Sequence, residues 1–243
     1  MKKFLIATGL LLLTFIPTFF IIFNVVHATG LPNLATQSYV TVIFPRTESD
    51  PNHKTVTYKR ESHEYGLIAD ILTDMTAIPA FPDDVNRSSF YGITFVSENG
   101  NGVSCRVYAP ASSLAFYLET ASGKYYRLPM PRCTRNGNEV SPAFVRYTSE
   151  FDDDSTLSSP DYTASSVLHI GTVSELSSLN FDKAASRLTV ALYTDDSEAE
   201  PVRKSTLAEA ASSGVSATRA VITGEWEYDH VTVRVGYVVR IGD

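Results

Sequence analysis

The stretch "ATRAVITGEWEYDHVTVRVGYVVRIG" constrains this chain most, because apolar residues alternate along both arms of a hairpin. Successive side chains of a strand point to opposite faces of the sheet. With Asp229-His230 as the turn, Tyr228 faces Val231, Trp226 faces Val233 and Ile222 faces Tyr237. One face then holds large apolar side chains, interrupted by Gly224. The other pairs Glu225 with Arg234 and Glu227 with Thr232. A slip of one residue would bury the charges, so the pattern pins the register.

Other segments share the same β character. "SYVTVIF", "KTVTYKR", "SSFYGITFV", "GVSCRVYA", "SLAFYLE", "KYYRLP" and "PAFVRYT" are rich in β-branched and aromatic residues and read as strands. "ENGNG" and "TASGK" supply hairpin-turn residues between them. The second half starts with "SSVLHIG"; "RLTVALYT" reads as a strand, and "VSELSSL" and "KSTLAEAASS" as short helices.

A longer helix is expected from Ser62 to about Ala77. Ser62 is suited to cap it, and Tyr65, Ile68, Ile71, Leu72, Met75 and Ile78 form an apolar stripe. Pro79 and Pro82 stop it. His63-Glu64 opens this helix and matches half of a zinc-peptidase signature. That chemistry needs a second imidazole one turn later, where this chain has Leu67. The pair therefore reads as the polar first turn.

The expected architecture is α+β: two small antiparallel β-sheet units, each with one packed helix, preceded by an N-terminal membrane-targeting helix. Residues 1–28 form that helix and 29–37 a stalk. Residues 38–148 form a β-rich α+β domain, 149–163 an acidic, Ser-rich linker, and 164–243 a second unit.

The targeting helix rests on the uncharged, mostly apolar run from Phe4 to Val26, which follows Lys2 and Lys3. As a helix it would span about 34 Å, enough to cross a bilayer. Small residues ending at Ala28 fit a signal-peptidase site. Two readings stay open: a cleaved signal peptide, or an uncleaved anchor with the body outside the cytoplasm. In that setting Cys105 and Cys133 read as a disulfide. Two separate buried thiols, or a reactive thiol at Cys133 beside Arg132 and Arg135, are the alternatives.

Recognisable catalytic patterns are missing. No serine stands three residues before any lysine, and no Gly-x-Ser-x-Gly elbow, phosphate loop or Gly-x-Gly-x-x-Gly fingerprint occurs. Asp152-Asp153-Asp154 begins no EF-hand loop, because the required Gly and Glu positions hold Leu157 and Thr163. Two clusters remain. Glu225, Glu227 and Asp229 put carboxylates about 7 Å apart along one strand face, compatible with acid–base work or with an exposed charge ladder. Tyr108, Tyr117, Tyr125 and Tyr126 are candidates for binding a sugar or peptide.

A formal net charge of −7 excludes a dominant nucleic-acid surface, which needs positive charge to displace counterions. The expectation is an exported, membrane-anchored or secreted binding or accessory protein with no cofactor and no metal. Its partners would be the membrane, through the N-terminal helix, and an envelope protein or carbohydrate. An extracytoplasmic hydrolase and a structural subunit of an envelope complex are the rival readings.

Overall fold

The computed structural model describes residues 30–45, 54–83, 85, 87, 90–108, 116–149, 152–158, 167–195 and 200–242. The expected targeting helix lies outside the described residues. Among the described residues no helix is long and apolar enough to cross a membrane.

Two sheets and a small ribbon make up the body. The first sheet contains β1 (Gln37–Ile43), β2 (Thr55–Lys59), β3 (Thr76–Ile78), β4 (Tyr91–Ser97), β5 (Gly102–Tyr108), β6 (Tyr117–Thr120) and β7 (Tyr125–Arg127). Their order is β2-β1-β4-β5-β6-β7-β3, with every pair antiparallel. The ribbon joins β8 (Cys133–Arg135) to β9 (Asn138–Glu139) and β13 (Leu179–Phe181). The second sheet contains β10 (Phe144–Ser149), β11 (Asp152–Ser158), β14 (Arg187–Tyr193), β15 (Arg203–Ser205), β16 (Arg219–Glu227) and β17 (Val231–Ile241). Its order is β11-β10-β17-β16-β14-β15, and β12 (Leu168–Ile170) adds to β17 in parallel.

The expected α+β architecture, with one helix packed on each unit, is overturned: the chain is mostly β-sheet. Only one helix of several turns occurs among the described residues, α1 (His63–Thr73). "VSELSSL" gives a 3-10 segment at Val173–Ser178, and "KSTLAEAASS" yields α2 (Leu207–Ala211). Such short windows lie far below the length at which a helix sustains itself without packing. The acidic stretch read as a linker contains β11, which pairs with β10. The stretch read as a stalk is docked: Leu31 is buried, and the Tyr65 hydroxyl donates to the Leu34 carbonyl at 2.6 Å.

Helix α1 serves both sheets. It packs against β2 of the first and against β10, β11 and β17 of the second. Leu67 is fully buried along with Ile68, Ile71 and Leu72, so the apolar face is wider than the sequence stripe. Tyr65 meets Phe95 of the first sheet edge-on, at 6.3 Å between rings. The Ser62 side chain accepts from the Tyr65 amide at 3.3 Å, as expected of the cap. The helix ends at Thr73, earlier than expected, because Thr76–Ile78 pairs with β7 instead.

Asp74, at the C-cap, is turned toward the second sheet. Its carboxylate is 4% exposed and accepts from the amides of His230 and Val231 at 2.7 and 3.1 Å. The His230 ring nitrogen Nδ1 lies 2.7 Å from the other oxygen. This clasp ties the end of α1 to the turn of the β16–β17 hairpin.

That hairpin has the expected register. Trp226 pairs with Val233, Ile222 with Tyr237 and Glu225 with Arg234. Its two glycines are explained by close approach. A Cβ on Gly224 would meet the Trp226 ring at 2.2 Å, and one on Gly236 would meet the Phe144 ring at 2.0 Å. The inner face carries fully buried Val190, Leu192, Ile222, Trp226, Val233 and Val235. Phe181 of the ribbon closes over Trp226 and Tyr237 at 5.3 and 5.8 Å, and the Trp226 indole N–H donates to the Lys183 carbonyl at 2.9 Å.

Gly236→Ala is expected to destabilise the fold by about 1–3 kcal/mol, because a rigid ring must be displaced; urea unfolding measures it. Asp74→Ala is expected to cost about 2 kcal/mol, chiefly through the amide of buried Val231 that it strands. Hydrogen bonding to Asp74 raises the His230 pKa. The stabilisation from this shift is therefore complete below the unfolded value of about 6.5, and is lost as pH rises through the raised folded value. Unfolding curves across that range should show a slope that disappears in His230→Ala.

Candidate functional site: the outer face of the second sheet

The pleat that buries Trp226 turns the alternate residues outward. On β14 these are Arg187, Thr189, Ala191 and Tyr193, and on β16 they are Arg219, Val221, Thr223 and Glu225. Pairing brings them into rows across the strands. At one end Arg187 lies opposite Glu225, Glu225 opposite Arg234, and Arg234 opposite Arg146. At the other, Tyr193 lies opposite Arg219 and Arg219 opposite Arg240. Between these rows, Thr189 faces Thr223 and Ala191 faces Val221, with Lys204 beside Ala191 on the edge strand. The depression over β14 and β16 encloses about 380 Å³.

Arg187, Arg234 and Arg146 are exposed, whereas Thr189, Thr223 and Glu225 are half-buried. The Arg234 Nε lies 3.9 Å from the Glu225 carboxylate, an ion pair too long for a hydrogen bond. Cations are also stacked on rings here. Arg219 sits 4.3 Å over Tyr193, and Arg146 sits 5.4 Å over Phe144. Such stacking holds a guanidinium in place over its ring. The whole chain is negative, but charges farther than about 8 Å are largely screened at physiological salt. The local excess of guanidinium groups therefore governs what this face attracts.

Of the expected carboxylate cluster, Glu225 lies in this depression, Glu227 is exposed opposite Thr232, and Asp229 stands in the hairpin turn. Their alternation produces a charged ladder, with Glu225 between Arg187 and Arg234. Among the described residues no group of three or more His, Cys, Asp or Glu converges to hold a metal.

The tyrosine candidates lie on the first sheet and are covered. Phe81 packs on Tyr108, Tyr117 and Tyr125 at 5.3, 5.6 and 4.6 Å between rings. Arg87 stacks over Phe81 at 5.0 Å, and the Tyr108 hydroxyl donates to Glu119 at 2.7 Å. Tyr126 points to the opposite face, because it is adjacent to Tyr125 in a strand, and it is buried there. The structure thus gathers three of the four, as a knot of packed rings closed by Phe81.

Cys105 and Cys133, the expected disulfide pair, are both buried and unbridged in this structure. Cys105 sits in β5, opposite Ile93 and Thr120, and Cys133 sits in the ribbon, opposite Phe181. Their host strands belong to different sheets. Burial pushes each thiol up to about 12, so neither is a reactive thiolate near neutral pH.

Sequence reasoning missed Arg146, Arg187, Lys204, Arg219, Arg240, Thr189 and Thr223 as site residues. Alternation in "RLTVALYT" does place Arg187, Thr189 and Tyr193 on one face. Which strands lie beside it is decided by long-range pairing, since Arg146 and Arg187 are brought near each other through β16 and β17. The buried thiols give a direct test. A thiol reagent should label neither cysteine in the folded protein and both after unfolding without reductant; thiols that appear only with reductant would instead reveal a bridge.

No protein family matches this chain, and comparison with characterised proteins and with solved structures returns no match.

Proposed function

We propose that this chain is an exported binding module, held at or released from a membrane by its apolar N-terminal segment, which takes an anionic partner on the outer face of its second sheet. The observation that carries this reading is the in-register row Arg187, Glu225, Arg234, Arg146 beside a hydroxyl-lined depression, in a chain whose net charge is −7. Guanidinium groups on a rigid sheet are pre-organised for carboxylate, sulfate or phosphate, so little side-chain freedom is lost on binding. The shallow form suits an extended ligand rather than an enclosed small molecule. Export is supported by the uncharged run Phe4–Val26 behind two lysines.

Binding to a sulfated dextran tests this reading, using the full chain in a neutral detergent. Affinity should fall as salt is raised, and Arg187→Ala with Arg234→Ala should weaken it about ten-fold or more. Lys59→Ala, on the first sheet, should leave it unchanged. Absence of binding, or an equal loss from Lys59→Ala, would overturn the assignment of this face.

A further inference from the structure

Resting on the membrane-held form of that reading, we infer that the body sits directly on the bilayer surface instead of standing off on a stalk. Its lipid-facing contact is residues 30–36 together with the β6–β7 turn.

The place where the chain enters the fold carries this. Gly30 is wedged against the β6–β7 turn: a Cβ there would meet the Ser122 hydroxyl at 2.2 Å and the Thr120 hydroxyl at 2.9 Å. Its φ of 68° also favours glycine. Leu31 is buried. The residues that follow are tied by hydrogen bonds. The Asn33 carbonyl accepts from the Thr36 amide at 3.0 Å and from the side-chain amide of buried Gln37 at 3.1 Å. The Tyr65 hydroxyl holds the Leu34 carbonyl, which fixes the segment to α1. The stretch from Gly30 to Gln37 thus belongs to the packed body and supplies no slack.

Chain length then sets the distance to the membrane. The apolar run ends at Val26, four residues before Gly30. Fully extended, four residues reach about 14 Å at most. The headgroup layer takes up about 5–8 Å of that. Gly30, and the turn it packs on, are held within about 9 Å of the headgroups. The surface at this point is neutral: residues 30–36, "GLPNLAT", carry no charge, and Ala121, Ser122 and Gly123 of the turn are exposed and uncharged. Such a surface is neither drawn to anionic lipid nor repelled by it, so the tether and not charge sets the contact. Helix α1 separates it from the β16–β17 turn. Tyr65 bonds Leu34, and Asp74, nine residues or about 14 Å farther along the helix, bonds His230.

The test uses the full chain reconstituted in phosphatidylcholine vesicles that carry a headgroup quencher. A fluorophore is attached to Ala121→Cys, in the β6–β7 turn, or to Asp229→Cys, in the β16–β17 turn; Cys105 and Cys133 are buried. The expected result is that the probe at 121 is quenched several-fold more than the probe at 229, equally at low and high salt. A 20-residue Gly/Ser linker inserted between Thr29 and Gly30 has a mean reach of about 25 Å. It should relieve the quenching at 121 while the vesicles still retain the protein. Equal quenching at the two positions, or no effect of the linker, overturns the inference and leaves the membrane-held reading standing. A chain that the vesicles do not retain overturns both.

Discussion

The second sheet depends on the two-residue periodicity of the β16–β17 hairpin. Each residue pair on the inner face buries apolar surface, and every outer-face pair except Val221–Val238 presents a charge or hydroxyl. The two sets cannot be moved independently, since a shift of one position exchanges them. Burial of Trp226, Val233 and Tyr237 thus fixes where Glu225 and Arg234 point. Burying one such side chain is worth about 1.5–3 kcal/mol, whereas an exposed pair such as Glu225–Arg234 contributes at most about 1 kcal/mol. The core therefore sets the geometry of the face, and the ionic ladder follows it.

Helix α1 and its cap extend this order to the first sheet. A helix wedged against strands of both sheets must be apolar over a broad arc, which is why Leu67 is as buried as Ile71 and Leu72. The Asp74 carboxylate then meets the amides of the hairpin turn. A nearly buried carboxylate is tolerated because donors surround it. The inter-sheet contact of Phe116 with Tyr147, 6.4 Å between rings, reinforces the junction.

Local features were readable wherever the physics is local. The cap at Ser62, the hairpin register, the turn glycines and most strand positions follow from side-chain chemistry over a few residues. The helix stops short of the expected Ala77 because Thr76–Ile78 gains a partner strand more than forty residues away, in β7. Strands such as β8, β13 and β15 are only three residues long and leave no periodic trace. The tyrosines stood out as aromatic surface in sequence, yet the same apolar character recruits Phe81 to cover them. The cationic face was hidden for the opposite reason: its arginines are scattered along the chain, and a net negative count conceals a local positive row.

By itself, the sequence determined which residues alternate, where α1 begins, how the last hairpin is registered and that an apolar segment leads the chain. These are consequences of near-neighbour sterics, hydrogen bonding and side-chain period. Tertiary structure alone decided that two sheets share one helix, that Cys105 and Cys133 lie in different sheets, and that Arg187, Glu225, Arg234 and Arg146 form one row. Those outcomes depend on which distant strands become neighbours. That choice is made by the whole core, because each pairing is favourable only when the others bury its apolar face.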